Sequence, residues 1–135
     1  MSYQNDISFG LSQEEKLLPV LKNVFSKDLI PTPNHYNLFD FIDINNNVYV
    51  ELKSRRVRSD QYLDTMISLK KIQFAKENLD KTFYFVFNFL DQILFWKYNA
   101  NDNINYRIGG RVDRNKSELQ EYAFIPVRYL SKLIL

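Results

Sequence analysis

Two runs of strand-like residues flank three consecutive asparagines, and this arrangement restricts the chain more than any other feature. Leu38-Phe-Asp-Phe-Ile-Asp-Ile and Val48-Tyr-Val-Glu-Leu-Lys are rich in β-branched and aromatic residues and have strand length. Asparagine tolerates the positive φ that hairpin turns require, so Asn45, Asn46 and Asn47 predict the bend between them. Side chains alternate along a strand. Tyr49, Glu51 and Lys53 therefore share one face, whereas Asp40 and Asp43 point to opposite faces of theirs. A turn of two or four residues sets Ile42 opposite Glu51 and Asp40 opposite Lys53, which unites Asp40, Glu51 and Lys53. A three-residue turn would instead bring Asp43 to the Glu51 face, two pairs away from Lys53. We take the first arrangement as the working expectation.

Around the hairpin the chain alternates between helical and extended patterns. Ser12-Gln-Glu-Glu15 has the form of a capping box, with Ser12 as N-cap and Glu15 at N3. Leu17, Leu18, Leu21, Val24 and Phe25 follow at helical spacing, and Pro19 inside the pattern predicts a bend. Ser59 to Leu79 reads as the next helix. Thr82–Phe89 and Gln92–Tyr98 read as a second strand pair, aromatic enough to be covered on both faces. Asn99–Asn105 is a polar, low-complexity stretch expected to be disordered, and Arg107-Ile-Gly-Gly-Arg111 marks a glycine turn. The tail from Ala123 predicts a short strand and then a helix with Pro126 near its first turn. This order argues an α/β fold, a central mixed β-sheet flanked by helices, in one domain over residues 1–135.

Composition narrows the chemistry. With 45% hydrophobic and 25% charged residues the chain is globular rather than disordered. It has no cysteine, which removes disulfide scaffolds, thiolate zinc sites, iron–sulfur clusters and cysteine nucleophiles together. No secretory signal is visible at the start, and no apolar run approaches the roughly 20 residues that span a bilayer. We therefore expect an intracellular protein, cytoplasmic or nuclear, in a cell or a virus-infected cell, with no membrane partner. The net charge of +2 is unevenly spread. Lys53, Arg55, Arg56 and Arg58 crowd together, and Arg107, Arg111, Arg114 and Lys116 form a second group. Such patches suit a polyanion groove, although each alone would also suit a solvated loop.

Two carboxylates with a lysine beside them match what phosphodiester hydrolysis needs. Asp40 and Glu51 would hold Mg²⁺ or Mn²⁺ while leaving positions open for water and a phosphate oxygen. Lys53 would orient or deprotonate the attacking water and offset the charge gained by the phosphate. An ordinary hairpin with an Asp40–Lys53 salt bridge would look the same in isolation; the helix upstream and the basic run downstream favour the catalytic reading.

The acid, the hairpin, the Glu51-Leu-Lys53 run and an upstream helix beginning Gly10-Leu-Ser-Gln-Glu14 resemble the PD-(D/E)XK nucleases, in particular small archaeal and phage Holliday-junction resolvases. The resemblance covers about Phe9 to Tyr98 and implies a restriction-endonuclease-like fold. In those resolvases a glutamate near the first helix precedes apolar residues at +3, +4 and +7. Glu14 has Leu17, Leu18 and Leu21 there, whereas Glu15 meets Pro19 and Lys22. The resemblance thus assigns Glu14 to the metal site with Asp40 and Glu51, and leaves Glu15 to capping. Phe39 stands where the family name has proline, a position often lacking it. Cleavage of DNA, branched DNA included, and a homodimer making two symmetric cuts are what the resemblance implies.

Other residues carry weaker signals. Lys70, Lys71 and Gln73 lie on the helix after the hairpin, where related nucleases often touch the site or DNA; of these we take Lys70 as a nucleic-acid contact, with Arg55, Arg56, Arg58, Arg107 and Arg111. Tyr49 and Tyr62 suit core packing better than base stacking. A viral-type RNA endonuclease on the same fold would want a histidine ligand, for which His35 is the only candidate. A non-catalytic nucleic-acid-binding or assembly module on this fold is the other alternative.

Overall fold

The computed structural model describes residues 3–33, 38–109 and 120–133. Helix α1 (Tyr3–Val24) leads into the short strand β1 (Ile30–Pro31), then β2 (Phe41–Asp43) and β3 (Val48–Ser54). Next come β4 (Asp64–Ser68) and helix α2 (Leu69–Glu77), then β5 (Thr82–Asn88), β6 (Ile93–Lys97) and β7 (Asn105–Gly109). Strand β8 (Gln120–Pro126), a 3-10 turn over Val127–Tyr129 and β9 (Ser131–Lys132) complete the described chain. Six strands form one sheet in the order β1-β2-β3-β5-β6-β9, and β4-β8-β7 form a second. Only β3 and β5 pair in parallel, so the large sheet is mixed, as the element order argued.

Alternation along β3 and β5 builds two cores. Val50, Leu52 and Val86 face α1, where Leu17 and Leu21 pack with Leu29 and Phe41. Phe83, Phe85 and Phe87 face the opposite way, against Ile72 and Ala75 of α2, Ile67 of β4, and Ala123 and Ile125 of β8. Phe39 lies 5.3 Å from Phe83 and 5.7 Å from Tyr49, ring centre to ring centre. Each fully buried phenylalanine contributes roughly 1.5–3 kcal/mol by leaving water. Trp96 stacks on Phe85 at 5.6 Å, and its indole N–H donates to Asp102 at 2.7 Å. That bond ties down the polar stretch expected to be disordered.

Four expectations are corrected. First, α1 already begins at Tyr3, so Ser12 and Glu15 sit inside the helix and form no capping box. Gly10, the one strong breaker just upstream, costs about 1 kcal/mol in a helix interior and does not end it. As expected, the helix is kept through Pro19, which lies on its exposed side. Second, the helix expected over Ser59–Leu79 is half strand. Thr65 and Ile67 are buried alternately in β4, and Leu63, which a helix would have to bury, is 92% exposed. Third, the helix expected after Pro126 is a single 3-10 turn; of the expected glycine turn, Arg107 to Gly109 end strand β7, and Gly110 and Arg111 lie outside the described residues. Fourth, the hairpin register differs by two. Asp43 pairs with Val48 across a four-residue loop, so Ile42 faces Tyr49 rather than Glu51. Asn47 takes φ 56° there, and the Asp43 carboxylate closes the loop by accepting from the Asn46 backbone and side-chain amides at 3.2 and 2.8 Å. Asp43 also accepts from the Ser26 hydroxyl, and these bonds hold its carboxyl below the usual range.

Candidate active site

The side of β3 that packs toward α2 is apolar except for Glu51 and Lys53. In the parallel register Glu51 lies beside Phe85 and Lys53 beside Phe87, so both charges emerge from an aromatic floor. Glu51 is only 1% exposed. Its Oε2 accepts from the Lys71 ammonium, which reaches down from α2, and Lys53 Nζ lies 3.3 Å away. Two cations are needed because an uncompensated carboxylate at that depth costs several kcal/mol. Its other oxygen, Oε1, is buried with no hydrogen-bond partner among the described residues. Burial depresses both lysines. At Lys53 the positive charge of Arg55 adds to the effect, while Asp40 and Glu14 oppose it. At Lys71 the same two acids oppose it.

Asp40 reaches the site from a bend before β2 rather than from the strand itself. Its carbonyl accepts from Thr32 N at 2.9 Å and its carboxylate from Leu52 N at 2.8 Å. The second bond fixes the carboxylate to the backbone between Glu51 and Lys53. Glu14 arrives from α1, whose neighbouring Gln13 accepts from the Asn88 amide at the end of β5 at 2.9 Å. The Glu14 carboxyl is pushed up to about 7, first by burial, then by a hydrogen bond and the negative charge of Asp40; Lys53 and Lys71 pull it back. Glu14 thus keeps its proton to near neutrality. Four parts of the chain bring together Glu14, Asp40, Glu51, Lys53 and Lys71.

Among the described residues no three carboxylates or imidazoles converge closely enough to hold a metal ion. Glu51 is turned to the two lysines, and Glu14 and Asp40 to each other. The donor chemistry nonetheless suits a hard divalent cation. All three acids offer oxygen, and Oε1 of Glu51 is a buried acceptor with no donor among the described residues.

The basic residues divide. Arg55 is half-buried and donates to the Met66 carbonyl at 2.6 Å, which ties β3 to β4. Arg56 lies over the Phe9 ring at 3.9 Å, and exposed Arg58 pairs with Asp60 at 3.2 Å and Asp91 at 3.8 Å. Arg107 lies 3.6 Å from the Phe124 ring centre and 3.4 Å from Asp64. Lys70 is exposed on α2; its neighbour Lys71 is the residue that enters the site. Helical spacing held the signal, since Lys71 sits beside the buried Ile72 and three residues before Phe74, but the misread start of α2 obscured it. Arg111 and His35 fall outside the described residues.

A family model described as "Phage putative PDDEXK endonuclease" matches residues 6–133, which includes the tail beyond Tyr98. No curated protein and no solved structure matches the chain.

Proposed function

This chain belongs to the phage PDDEXK endonuclease family, and from that premise we propose that it hydrolyses phosphodiester bonds with Mg²⁺ or Mn²⁺ at the Glu14, Asp40, Glu51, Lys53 and Lys71 cluster. The observation that carries this reading is Glu51, buried on an aromatic floor with one oxygen between two ammonium groups and the other without a partner among the described residues. A structural ion pair would satisfy both oxygens; a site prepared for a ligand leaves one open.

Asp40 and Glu51 hold the cation, with Glu14 at the rim, and the cation supplies Lewis acidity at the phosphate. Lys53 borders that position with an ammonium whose burial weakens its hold on the proton, which suits a group that orients water or accepts from it. Lys71 neutralises Glu51 and adds positive charge where the phosphate gains negative charge. Glu14, protonated near neutrality, keeps the two outer carboxyls from repelling each other until a cation arrives.

DNA is the favoured substrate, with branched DNA as the expected class, and paired cuts on a junction would call for a homodimer. The test is cleavage of labelled junction, flap, duplex and single-stranded DNA and RNA with Mg²⁺ or Mn²⁺. Cleavage lost with Glu51→Gln supports the proposal. A wild-type protein as inactive as Glu51→Gln on every substrate sinks it and leaves a nucleic-acid-binding module.

A further inference from the structure

Beyond Lys53 the chain leaves β3 and borders a cleft. Residues 55–59 form one wall, β4 and the residues Phe124 and Val127 form the other, and the space between them is about 410 Å³. Val57, Met66, Phe89 and Phe124 give it an apolar floor, and Tyr62, 61% exposed, stands at its side. Four guanidinium groups, from Arg55, Arg56, Arg58 and Arg107, line it, and among the described residues Asp64 is the one carboxylate in the lining. The walls are held in place before any ligand arrives. Asp91 accepts from the Ser59 backbone at 2.7 Å and hydroxyl at 2.6 Å, and Gln92 donates to the same hydroxyl at 2.9 Å. Leu90 N donates to the Val57 carbonyl at 3.0 Å, and Val127 N to the Leu63 carbonyl at 2.9 Å.

An apolar floor ringed by cations asks for a ligand that is flat, apolar and anionic at once. A free phosphate has no use for the floor, and an apolar peptide has none for four arginines. A nucleotide has use for both, and this volume lies in the range of small-ligand sites while being far too small for a duplex. We propose that this cleft takes one unpaired nucleotide of the nucleic-acid substrate, its base against Tyr62 and Phe124 and its phosphates at the arginines. The inference rests on the nuclease reading and deepens it by naming the substrate. Arg55 follows Lys53 by two residues, about 7 Å of extended chain, and its charge is felt at the Lys53 ammonium. The unpaired nucleotide therefore neighbours the scissile bond, and the enzyme cuts where paired and unpaired strands meet.

The experiment separates binding from cleavage. A single-stranded oligonucleotide carrying a fluorescent purine analogue is titrated with the protein in EDTA, beside a fully paired duplex carrying the same base. Saturable quenching of the single strand alone is expected, retained in Glu51→Gln and weakened roughly tenfold or more in Tyr62→Ala, since Tyr62 provides a stacking face. Arg107→Ala, exposed and at the rim, should weaken it as well, and unchanged melting curves would exclude misfolding in either variant. No quenching in wild type, or equal quenching in Tyr62→Ala and Arg107→Ala, overturns the assignment. Quenching without cleavage of any substrate would refute the nuclease reading alone. Duplex cleavage without quenching would refute the cleft alone.

Discussion

Replacing Glu14 by glutamine should stabilise the metal-free protein at high pH and leave it unchanged at low pH. The folded chain holds the Glu14 proton up to about 7, against 4.5 for an ordinary glutamate. Below 4.5 the Glu14 carboxyl is protonated in both the folded and unfolded states, so it carries no burial penalty. Between 4.5 and 7 the unfolded chain releases the proton that the folded chain keeps, and stability falls as the pH rises. At full value this penalty is about 3.4 kcal/mol above pH 7, from about 1.36 kcal/mol for each pH unit. Glu14 is only partly buried, however, and water screens it, so about 1–2 kcal/mol is the expected size. Glutamine keeps the neutral shape at every pH. Thermal melts in EDTA should therefore show variant and wild type together near pH 4.5, and the variant higher by roughly 3–8 °C at pH 8. A difference that stays flat with pH, or a variant less stable at pH 8, would refute the account of a Glu14 proton held to near neutrality.

Three further perturbations probe the same cluster and its surroundings. Lys53→Ala and Asp40→Asn should each lower the single-turnover cleavage rate by about two to three orders of magnitude while nucleic-acid affinity persists; equal loss of affinity would mean that these residues bind rather than catalyse. Lys71→Met leaves buried Glu51 with only Lys53, and should cost about 3 kcal/mol in urea unfolding, partly restored by Mg²⁺ if the cation occupies this position. Arg56→Ala with Arg58→Ala should flatten the slope of log affinity against log salt by about one to two, as phosphate contacts release counterions; an unchanged slope would make both residues structural.

Much of the site was legible because strand alternation is rigid. Whatever the register, Glu51 and Lys53 had to share a face, and the asparagines had to turn the chain between Asp43 and Val48. The two-residue shift in pairing preserved that parity, so the misplaced partner did little harm. Asp40 was harder. It works from a bend, through a bond to the Leu52 amide that no periodicity encodes. The helix expected over Ser59–Leu79 went wrong because Leu, Met, Ile and Lys suit a helix by composition, whereas β4 is decided by β8, more than fifty residues away. That tertiary partner also sets where α2 starts, and hence that Lys71, not Lys70, points at Glu51. The arginines looked alike as a charge run, yet Arg55 is half-buried with one N–H on the Met66 carbonyl, while exposed Arg58 pairs with Asp60 and Asp91.

The place of β8 in the middle of the small sheet has a consequence for synthesis. While the ribosome is still short of residue 126, β4 has no neighbour, and α2, which continues directly from Ser68, rests on Phe83 and Phe85 without the Ala123 and Ile125 half of its core. The nascent chain carries Glu14, Asp40, Glu51 and Lys53 before the packing that holds Lys71 over them is complete. Cutting power would then arrive in one late event rather than by degrees. Chains arrested after residue 109 should be inert, and those extended through residue 133 competent, although every residue of the cluster is present in both.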